Sequence, residues 1–277
     1  MKNQDKNTVD GFGDEWSRFD QSDLPKKEQQ LLFDEYFSVF PWKDISKEST
    51  GFDLGCGTGR WAKSVAPKVK KLICIDPSSA LDIAKENLSN FDNCEFDSGT
   101  VDEMSIDDNS MDFGYSLGVL HHVPDTALGL KQCVKKLKGG APFLLYLYYR
   151  FDNRPWWFRL IWLITDLLRR VISKMPYRLR YVSSQIIAVI VYFPLARIAL
   201  FLEKLNFNVS SFPLSSYKNL SFYTMRTDAL DRFGTRLEQR FTRLEIKNMM
   251  HDAGLENIEF SNSKPFWVAV GYKIRKT

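Results

Sequence analysis

The chain has 277 residues, of which 44% are hydrophobic and 26% are charged, and its formal net charge is +4. This composition excludes a disordered chain, a collagen-like repeat and a disulfide-rich scaffold. The four cysteines lie far apart without a C-x-x-C pair, and only three histidines accompany them. We therefore expect no metal site, and reduced thiols as in a cytoplasmic protein.

Residues 1–45 precede the first predicted strand and are predicted to form an N-terminal arm. The first 16 residues contain no apolar core, which argues against a secretory signal. Residues 11–19 are aromatic but lack the apolar spacing of a helix. Two alternatives stay open. The segment folds over a ligand, with Trp16 and Phe19 excluding water and Arg18 pairing with a ligand carboxylate, or it packs outside the sheet.

From residue 50 onwards, predicted strands alternate with predicted helices. The strands are expected at residues 50–54, 71–76, 93–97, 111–116, 142–149, 257–261 and 267–273. The helices are expected at residues 58–66, 78–88, 126–137 and 242–253. The last helix begins with a capping box formed by Thr242 and Glu245. This alternation predicts an α/β fold with a Rossmann-like, doubly wound sheet of seven strands.

A glycine-rich turn, DLGCGTG, follows the first predicted strand at residues 53–59. Glycines there permit a tight turn and let a ligand approach bare backbone. Asp53 stands at the start of the turn, where a carboxylate can hold a cationic amino group. Asp76 ends the second predicted strand, where a carboxylate can accept both hydroxyl protons of a ribose. The two acidic residues favour a ligand-binding turn over a purely structural one.

Two cofactors compete for this turn. Residues 57–62 also fit the dinucleotide pattern G-x-G-x-x-A. That interpretation would place Asp53 against a pyrophosphate, where an uncompensated negative charge is unfavourable. A ligand without phosphate and with a positive amino-acid end removes the conflict, and S-adenosylmethionine is such a ligand.

Several segments together resemble a known enzyme family: DLGCGTGRWA, LICIDPSSALDIAKENL, MDFGYSLGVLHHVPD and the long strand after KKLKGG. They are similar to class I S-adenosylmethionine-dependent methyltransferases, in the group of the ubiquinone and menaquinone C-methyltransferases. The resemblance covers residues 52–149 clearly and residues 242–273 more loosely. It implies that the chain is a methyltransferase enzyme with S-adenosyl-L-methionine as its cofactor.

The resemblance also implies which residues surround the cofactor. They come from the ends of the predicted strands and are Asp53, Gly55, Cys56, Gly57, Gly59, Asp76, Pro77, Ser78, Thr100, Val101, Leu117 and Gly118. Asp76 would bind the ribose, Pro77 and Ser78 would flank the adenine, and Leu117 and Gly118 would lie under the methionine portion. Family members carry a Gly-Asp pair after the third strand, whereas this chain has Gly99-Thr100. A carboxylate contact to the base would therefore come from Asp102.

His121 and His122 are the candidates for a catalytic base. The sulfonium methyl is already activated, so the protein mainly aligns the reactants and excludes water. A base is needed only where the nucleophile must lose a proton. Both histidines follow the fourth predicted strand, and histidine titrates in a suitable range. The alternative is that one ring packs in the pocket wall and the other caps the next helix.

The insert at residues 150–225 differs from the rest of the chain. Residues 141–225 carry eleven basic and three acidic side chains, a net charge of +8. Two apolar helices are predicted at residues 156–168 and 186–202. The link between them is basic and contains Arg169, Arg170, Lys174, Arg178 and Arg180. Pro194 and Arg197 argue against a membrane span, because a charge in mid-membrane costs at least ~2.5 kcal/mol.

Three roles for the insert stay open: a helical lid over the acceptor, a peripheral contact with a membrane surface, or a dimer interface. We expect the lid, within a single domain that covers residues 1–277. Residues 222–241 must return from the lid to the core, and the candidate acceptor contacts are Tyr149, Tyr223, Arg226, Asp228, Arg232 and Arg236. The alternative for that return segment is a salt-bridged surface loop.

The function predicted from the sequence is methyl transfer from S-adenosylmethionine to a small-molecule or lipid-like acceptor. Whether oxygen, nitrogen or carbon is methylated stays open. Nucleic acid is not expected as the acceptor, because the basic residues lie among apolar ones. The alternative is a non-catalytic S-adenosylmethionine-binding partner or a membrane-surface accessory protein. The expected location is the cytoplasm, with the periphery of a membrane as the alternative.

Overall fold

The computed structural model describes residues 3–275, which divide into two compact units. Unit 1 contains the chain up to Asp20, Gln30–Arg150 and the chain from Leu237 onwards. Unit 2 contains Gln21–Gln29 and Phe151–Arg236. The larger segment of unit 2, Phe151–Arg236, begins where the insert was expected and ends eleven residues after the expected end at residue 225. Its action as a lid stays a prediction.

Unit 1 is built on one sheet of seven strands in the order β3-β2-β1-β4-β5-β7-β6. The strands are β1 (Thr50–Leu54), β2 (Lys71–Ile75), β3 (Cys94–Asp97), β4 (Phe113–Leu117), β5 (Pro142–Tyr146), β6 (Leu255–Phe260) and β7 (Ala269–Lys273). Strands β1 to β5 are parallel, whereas β7 is antiparallel to both β5 and β6. The predicted Rossmann-like sheet is therefore confirmed.

The central strands are buried on both faces of the sheet, which explains their uninterrupted apolar sequences. Every residue of β4 and β5 is buried. Phe52 and Phe143 belong to a hydrophobic cluster that also contains Leu120, whereas Phe113 and Leu144 belong to a second cluster. Two cores on opposite faces hold the carboxyl ends of the parallel strands in fixed positions.

The helices other than those of the insert are α1 (Lys6–Arg18), α2 (Lys26–Tyr36), α3 (Ala62–Val65), α4 (Ala80–Asn87), α5 (Thr126–Lys136) and α10 (Arg243–Asp252). The capping box predicted for α10 is confirmed, because Thr242 and Glu245 bond reciprocally. The prediction that residues 11–19 are not helical is wrong. Asp5 caps α1 by accepting a hydrogen bond from the Thr8 amide at 2.8 Å, and this cap starts the helix.

Unit 2 is helical, with α6 (Trp156–Ile172), α7 (Tyr177–Ile187), a π-helical turn (Ala188–Tyr192), α8 (Phe193–Lys204) and α9 (Phe222–Gly234). The predicted basic link is wrong in its extent, because α6 and α7 absorb most of it. Pro194 is tolerated because it lies at the start of α8, directly after the π-helical turn. The first turn of an α-helix does not require the amide hydrogen that proline lacks. Tyr177–Lys204 forms one continuous helical stretch of 28 residues, apolar and long enough to cross a membrane.

The alternative of a surface loop for residues 222–241 is wrong at the start of this segment, because residues 222–234 form α9. Ser221 caps this helix by accepting a hydrogen bond from the Thr224 amide. Met225, Ala229 and Phe233 then recur on one face and are buried. This short apolar stripe is hidden among polar residues, which is why the sequence pattern was too weak to show the helix.

Candidate functional site

A cavity in unit 1 lies at the carboxyl ends of β1, β2 and β4, where ligands bind in open α/β sheets. Its walls contain eleven of the residues predicted for the cofactor: Gly55, Cys56, Gly57, Asp76, Pro77, Ser78, Thr100, Val101, Leu117, Gly118 and Trp16. Residues not predicted for it also line the cavity, among them Asn3, Thr8, Phe12, Arg60, Trp61 and Val123. Three predicted cofactor residues, Asp53, Gly59 and Arg18, do not line it.

The glycine turn presents bare backbone to this cavity. Gly55, Gly57 and Gly118 have φ angles of +75°, +53° and +81°, which glycine adopts without strain. A Cβ atom on Gly55 would lie 2.3 Å from Val119 Cγ2. Gly59 has a different task, because a Cβ atom there would lie 2.8 Å from Leu88 Cδ1. Gly59 therefore does not line the cavity. It packs against Leu88, a buried leucine directly after α4.

Asp76 joins two loops of the cavity wall. Its Oδ2 accepts a hydrogen bond from the Gly57 amide at 2.9 Å. Its Oδ1 accepts bonds from the Ser78 amide at 2.9 Å and the Ser78 hydroxyl at 2.6 Å. Three of its roughly four acceptor positions are therefore used within the protein. One position stays open for a ribose hydroxyl, and a second ribose hydroxyl requires Ser78 to turn away.

Asp53 is fully buried beside the cavity but outside its lining. Neither carboxylate oxygen has a partner in hydrogen-bonding geometry among residues 3–275. Burial raises the pKa of Asp53 well above its usual range, and the neighbouring Tyr115 hydroxyl opposes part of this rise. Its predicted contact with the amino group of the cofactor stays a prediction.

The wall predicted to face the adenine contains Thr100 and Val101. The Thr100 hydroxyl is buried and has no hydrogen-bond partner among the described residues, so it is available to a ligand. Asp102 is engaged elsewhere, because it accepts a hydrogen bond from the Asn3 amide. Asn3 is also tied to Asp125 through two hydrogen bonds of 2.7 Å. These bonds hold Asn3 at the cavity wall.

Helix α1 forms one side of the cavity. This position corresponds to the alternative in which the N-terminal segment folds over a ligand. Thr8, Val9, Phe12 and Trp16 line the cavity from this helix. Trp16 lies over the glycine turn, since its Nε1 would be 3.4 Å from a Cβ atom on Gly57. Helix α1 therefore shields the glycine turn from solvent.

The cation on the cavity wall is Arg60 instead of the predicted Arg18. Arg18 pairs with Asp14 on α1, with an Nη2–Oδ1 distance of 2.8 Å. Arg60 follows the last glycine of the turn, and its guanidinium lies 4.2 Å from the centre of the Trp61 ring. The sequence contained this signal, because residues directly after such a turn open towards the ligand.

The two histidines differ in their surroundings. His122 lines the cavity, and its Nδ1 lies 2.6 Å from the Leu237 carbonyl oxygen. His121 is fully buried outside the lining, and its ring stacks on Tyr148 with 3.8 Å between the ring centres. Burial lowers the pKa of His121 well below its usual value, with the nearby His122 and Arg240 adding to this effect. His121 is therefore neutral near pH 7.

Residues 237–241 of unit 1 pack along the histidine loop. The Gln239 amide donates to the His121 carbonyl oxygen at 3.0 Å. The Gln239 side chain donates to the Val123 carbonyl oxygen at 2.7 Å. Arg240 has a side chain only 10% exposed and forms an ion pair of 2.7 Å with Glu238. This segment holds the backbone of His121 and the ring of His122 in place.

The residues predicted for the acceptor lie in both units. Tyr149 is in unit 1, where its ring contacts Phe266 and Trp267. The others lie on α9 of unit 2 or directly after it and are Tyr223, Arg226, Asp228, Arg232 and Arg236. Within unit 2, Arg226 donates to Gln185 at 2.6 Å and Asp228 accepts from Tyr217 at 2.8 Å. Their contact with an acceptor stays a prediction.

Comparison with known proteins adds to this geometry. Residues 52–145 match the family described as "Methyltransferase domain". This stretch of the chain is therefore similar to a methyltransferase domain. A 103-residue stretch is 32% identical to demethylmenaquinone methyltransferase of Staphylococcus aureus and covers 35% of this chain and 42% of that protein. A 59-residue stretch is 48% identical to an uncharacterized RNA methyltransferase of Clostridium tetani and covers 20% of this chain and 13% of that protein. The chain therefore spans less than half the length of these relatives.

Solved structures share the fold of this methyltransferase domain. A SAM-dependent methyltransferase from Methanosarcina mazei superposes with a TM-score of 0.50 at 17% identity and covers 84% of this chain and 96% of that one. A chain from a complex that contains the Haloferax volcanii Trm112 methyltransferase activator also has a TM-score of 0.50, at 14% identity and 99% coverage of this chain. At such identities the likeness concerns the fold alone.

The cofactor of the methyltransferase domain is S-adenosylmethionine, and the cavity residues fit it. The bare backbone of Gly55 and Gly57 leaves room for a ligand against the turn. Asp76 retains an acceptor position for a ribose hydroxyl, and the Thr100 hydroxyl lacks a protein partner. Arg60 supplies a positive charge for a carboxylate.

Proposed function

We propose that the chain transfers a methyl group from S-adenosylmethionine to a small-molecule or lipid-like acceptor. The observation that supports this most is the cavity itself. It places the glycine turn, Asp76 and the ring of His122 along one continuous lining within unit 1. A site that only bound the cofactor would not need an imidazole on this lining in addition to Asp76, so the non-catalytic alternative is not favoured.

Cofactor binding is assigned to five side chains and the turn backbone. Asp76 accepts a ribose hydroxyl, the Thr100 hydroxyl bonds the adenine, and Arg60 pairs with the carboxylate. Phe12 and Trp16 of α1 exclude water from the site. When bound, the cofactor supplies an activated methyl group on a sulfonium. The protein then contributes alignment and a dry environment, which account for most of the rate in such a transfer.

His122 is proposed as the base for acceptors that must lose a proton. The Leu237 carbonyl oxygen can only accept a hydrogen bond, so the 2.6 Å contact requires a proton on His122 Nδ1. In the neutral ring, Nε2 then carries the lone pair that accepts a proton. His121 is proposed as a positioning residue, because it lies outside the lining and its ring centre is 3.9 Å from that of His122.

The acceptor class follows from the character of the cavity wall. Phe12, Leu120 and Val123 are apolar and lie near His122 in the lining. Among the described lining residues, Arg60 alone carries a permanent positive charge, whereas an RNA backbone requires several. We therefore favour a small apolar acceptor over RNA, although one relative is named as an RNA methyltransferase. The cytoplasm stays the proposed location.

The proposal is tested with S-adenosylmethionine that carries a radioactive methyl group. The purified protein is incubated with lipid extract, a small-molecule extract, total RNA and protein extract from cells, each in a separate reaction. We expect label in the lipid or small-molecule fraction. His122→Gln should reduce transfer about 100-fold or more, the typical contribution of a base, with unchanged cofactor affinity. Label in RNA alone would refute the acceptor class, and full cofactor binding without transfer into any fraction would refute catalysis.

A further inference from the structure

Unit 2 exposes an unusually large apolar surface. Of the 25 large apolar side chains that are exposed among residues 3–275, 21 lie between residues 156 and 207. We call them the apolar face of unit 2. They are Trp156, Trp157, Leu160, Ile161, Leu163, Ile164, Leu167, Leu168, Val171, Tyr177, Leu179, Val182, Ile186, Val189, Ile190, Val191, Phe193, Ile198, Phe201, Leu205 and Phe207. An exposed apolar area of this extent is typical of an interaction surface.

Helix α6 is amphipathic with its apolar side turned outwards. Its buried residues are Asp166, Arg169 and Ile172. Leu160, Leu163, Leu167 and Val171 recur at helical spacing on the other side, and Leu167 is 68% exposed. A soluble helix would direct this apolar stripe into the core. Helix α6 instead packs through the narrow stripe that contains Asp166, Arg169 and Ile172. Its apolar stripe is therefore exposed on the surface of unit 2.

The helical stretch from α7 to α8 repeats this arrangement. One stripe of Arg180, Ser184, Ala188, Tyr192 and Ala196 is buried in unit 2. The exposed residues Val182, Ile186, Val189 and Phe193 follow the same spacing on the opposite side. Arg180 and Arg197 are the charged residues from residue 179 to residue 202. A wide apolar stripe without acidic side chains therefore runs from residue 179 to residue 202.

Basic charges predominate around the apolar face, and an acidic residue within it, Glu203, forms an ion pair with Lys218. Arg159, Lys174 and Arg178 are exposed beside it. The acidic residue between residues 153 and 202 is Asp166, which is buried and ion-paired with Arg169 at 2.7 Å. A second copy of this chain would bring like charges together, whereas anionic lipid headgroups complement them. We propose that the apolar face of unit 2 inserts into the surface layer of an anionic lipid bilayer.

Contacts within unit 2 favour a helix lying in the plane of the membrane over a helix that crosses it. Arg180 donates to the Gly234 carbonyl oxygen at 3.2 Å, and Arg197 donates to the Lys218 carbonyl oxygen at 3.0 Å. Crossing would carry these groups and α9 into hydrocarbon, where charged groups are costly. An amphipathic helix at the interface buries its apolar side ~5–10 Å deep and keeps its other side on the protein. Trp156, 75% exposed, has the amphipathic ring that favours the headgroup level.

This inference does not depend on the proposed methyl transfer, because the apolar face belongs to unit 2 and the cavity to unit 1. The full chain without cofactor is sedimented with vesicles of phosphatidylcholine alone and of phosphatidylcholine mixed with phosphatidylglycerol. We expect binding to the anionic vesicles, with weaker binding to the neutral ones. Trp156 emission should shift to shorter wavelength on binding, and Trp156→Phe should reduce this shift.

Two variants separate the apolar contribution from the electrostatic one. Leu167→Asp combined with Ile190→Asp places charges at exposed positions, so the fold is kept, and binding to anionic vesicles should fall at least about tenfold. Leu244→Asp in unit 1 is the matched control, since Leu244 is 66% exposed, and it should bind like the wild type.

The electrostatic variant is Lys174→Glu combined with Arg178→Glu. It should weaken binding to anionic vesicles about tenfold or more, because each basic residue near such a surface contributes measurably. Lys131→Glu combined with Lys247→Glu in unit 1 is its control and should bind normally. Two results would overturn the proposal. One is wild-type protein that binds neither vesicle type, and the other is a stable dimer that Leu167→Asp with Ile190→Asp dissociates.

Discussion

Asp76 performs a structural and a binding task with the same carboxylate. It accepts hydrogen bonds from Gly57 and Ser78, so it connects the glycine turn to the loop after β2. It also lines the cavity. Burial raises the pKa of Asp76, and the bonds from Ser78 and Gly57 oppose this rise. Removing the side chain would therefore disturb the turn as well as the ligand contact, and a test of binding needs an isosteric change.

Asp76→Asn is expected to weaken binding of S-adenosylhomocysteine about tenfold. The asparagine amide keeps one acceptor oxygen, but an NH2 donor replaces the second carboxylate oxygen. Residue 76 therefore loses one hydrogen bond in the cofactor complex, which reduces the free energy of binding by ~1.5 kcal/mol. Calorimetry measures the dissociation constant. Asp82→Asn on the exposed surface of α4 is the matched control. An unchanged dissociation constant for Asp76→Asn would remove Asp76 from the binding site.

His121 should make folding stability depend on pH. Its pKa in the folded protein lies well below 6.5, whereas the unfolded chain takes up a proton near that pH. Below pH 6.5 the unfolded state therefore binds more protons, and the free energy of unfolding decreases by up to ~1.4 kcal/mol per pH unit as the pH falls. Urea unfolding at several pH values should show a shallower decrease for His121→Asn. His251→Asn, an exposed histidine on α10, is the control, and equal slopes for wild type and His121→Asn would contradict the prediction.

Local sequence signals predicted about half of the residues that line the cavity, but not which way each side chain points. Gly55, Gly57 and Asp76 were found because a strand that ends in a glycine turn fixes its own geometry. Asp53 lies outside the lining because successive strand residues face opposite sides of the sheet, and the neighbouring Leu54 faces the cavity. Arg18 was preferred over Arg60 because the ion pair between Arg18 and Asp14 depends on a helix that the sequence did not reveal.

At the scale of elements, α1 is the part of the fold that the sequence left open. The glycines and acidic residues within Lys6–Arg18 weaken its helical pattern, and its apolar residues face a cavity instead of a continuous core. The strands and α4, α5 and α10 were predicted well, because each has a continuous apolar pattern or a clear cap. Helix α9 was missed for the same reason as α1: its buried stripe is short and is interrupted by polar residues.

Trp16→Ala tests the contribution of α1 to cofactor binding. The indole lies over Gly57, so its removal opens the turn to water and should weaken S-adenosylhomocysteine binding about tenfold, which corresponds to ~1.4 kcal/mol. Asp10→Ala, at an exposed position of the same helix, should bind normally. Equal affinity of Trp16→Ala and wild type would show that α1 does not cover the bound cofactor.

At the scale of the whole molecule, two compact units divide the tasks that we propose. Unit 1 contains the complete sheet and the cavity, and unit 2 contains the apolar face. The chain leaves and re-enters unit 1 at neighbouring points, because the Arg150 amide donates to the Phe241 carbonyl oxygen at 2.9 Å. The composition of the insert was enough to predict that it is more basic and more apolar than the rest of the chain. The residues at which its helices begin and end could not be predicted, because they depend on packing within unit 2.

Replacing residues 151–236 with a short Gly/Ser linker separates these tasks. The shortened protein should keep S-adenosylhomocysteine binding, since the described cavity lining belongs to unit 1. It should lose vesicle binding, and methyl transfer to the native acceptor should fall if unit 2 helps to hold that acceptor. Full transfer by the shortened protein would refute a role of unit 2 in acceptor binding.

Binding of S-adenosylmethionine in the cavity of unit 1 is measured by calorimetry of the full chain with S-adenosylhomocysteine and with NAD. We expect S-adenosylhomocysteine to bind in a one-to-one complex, Asp76→Asn to weaken this binding, and NAD to bind much more weakly. Tighter binding of NAD than of S-adenosylhomocysteine would show that the cavity is not a site for S-adenosylmethionine.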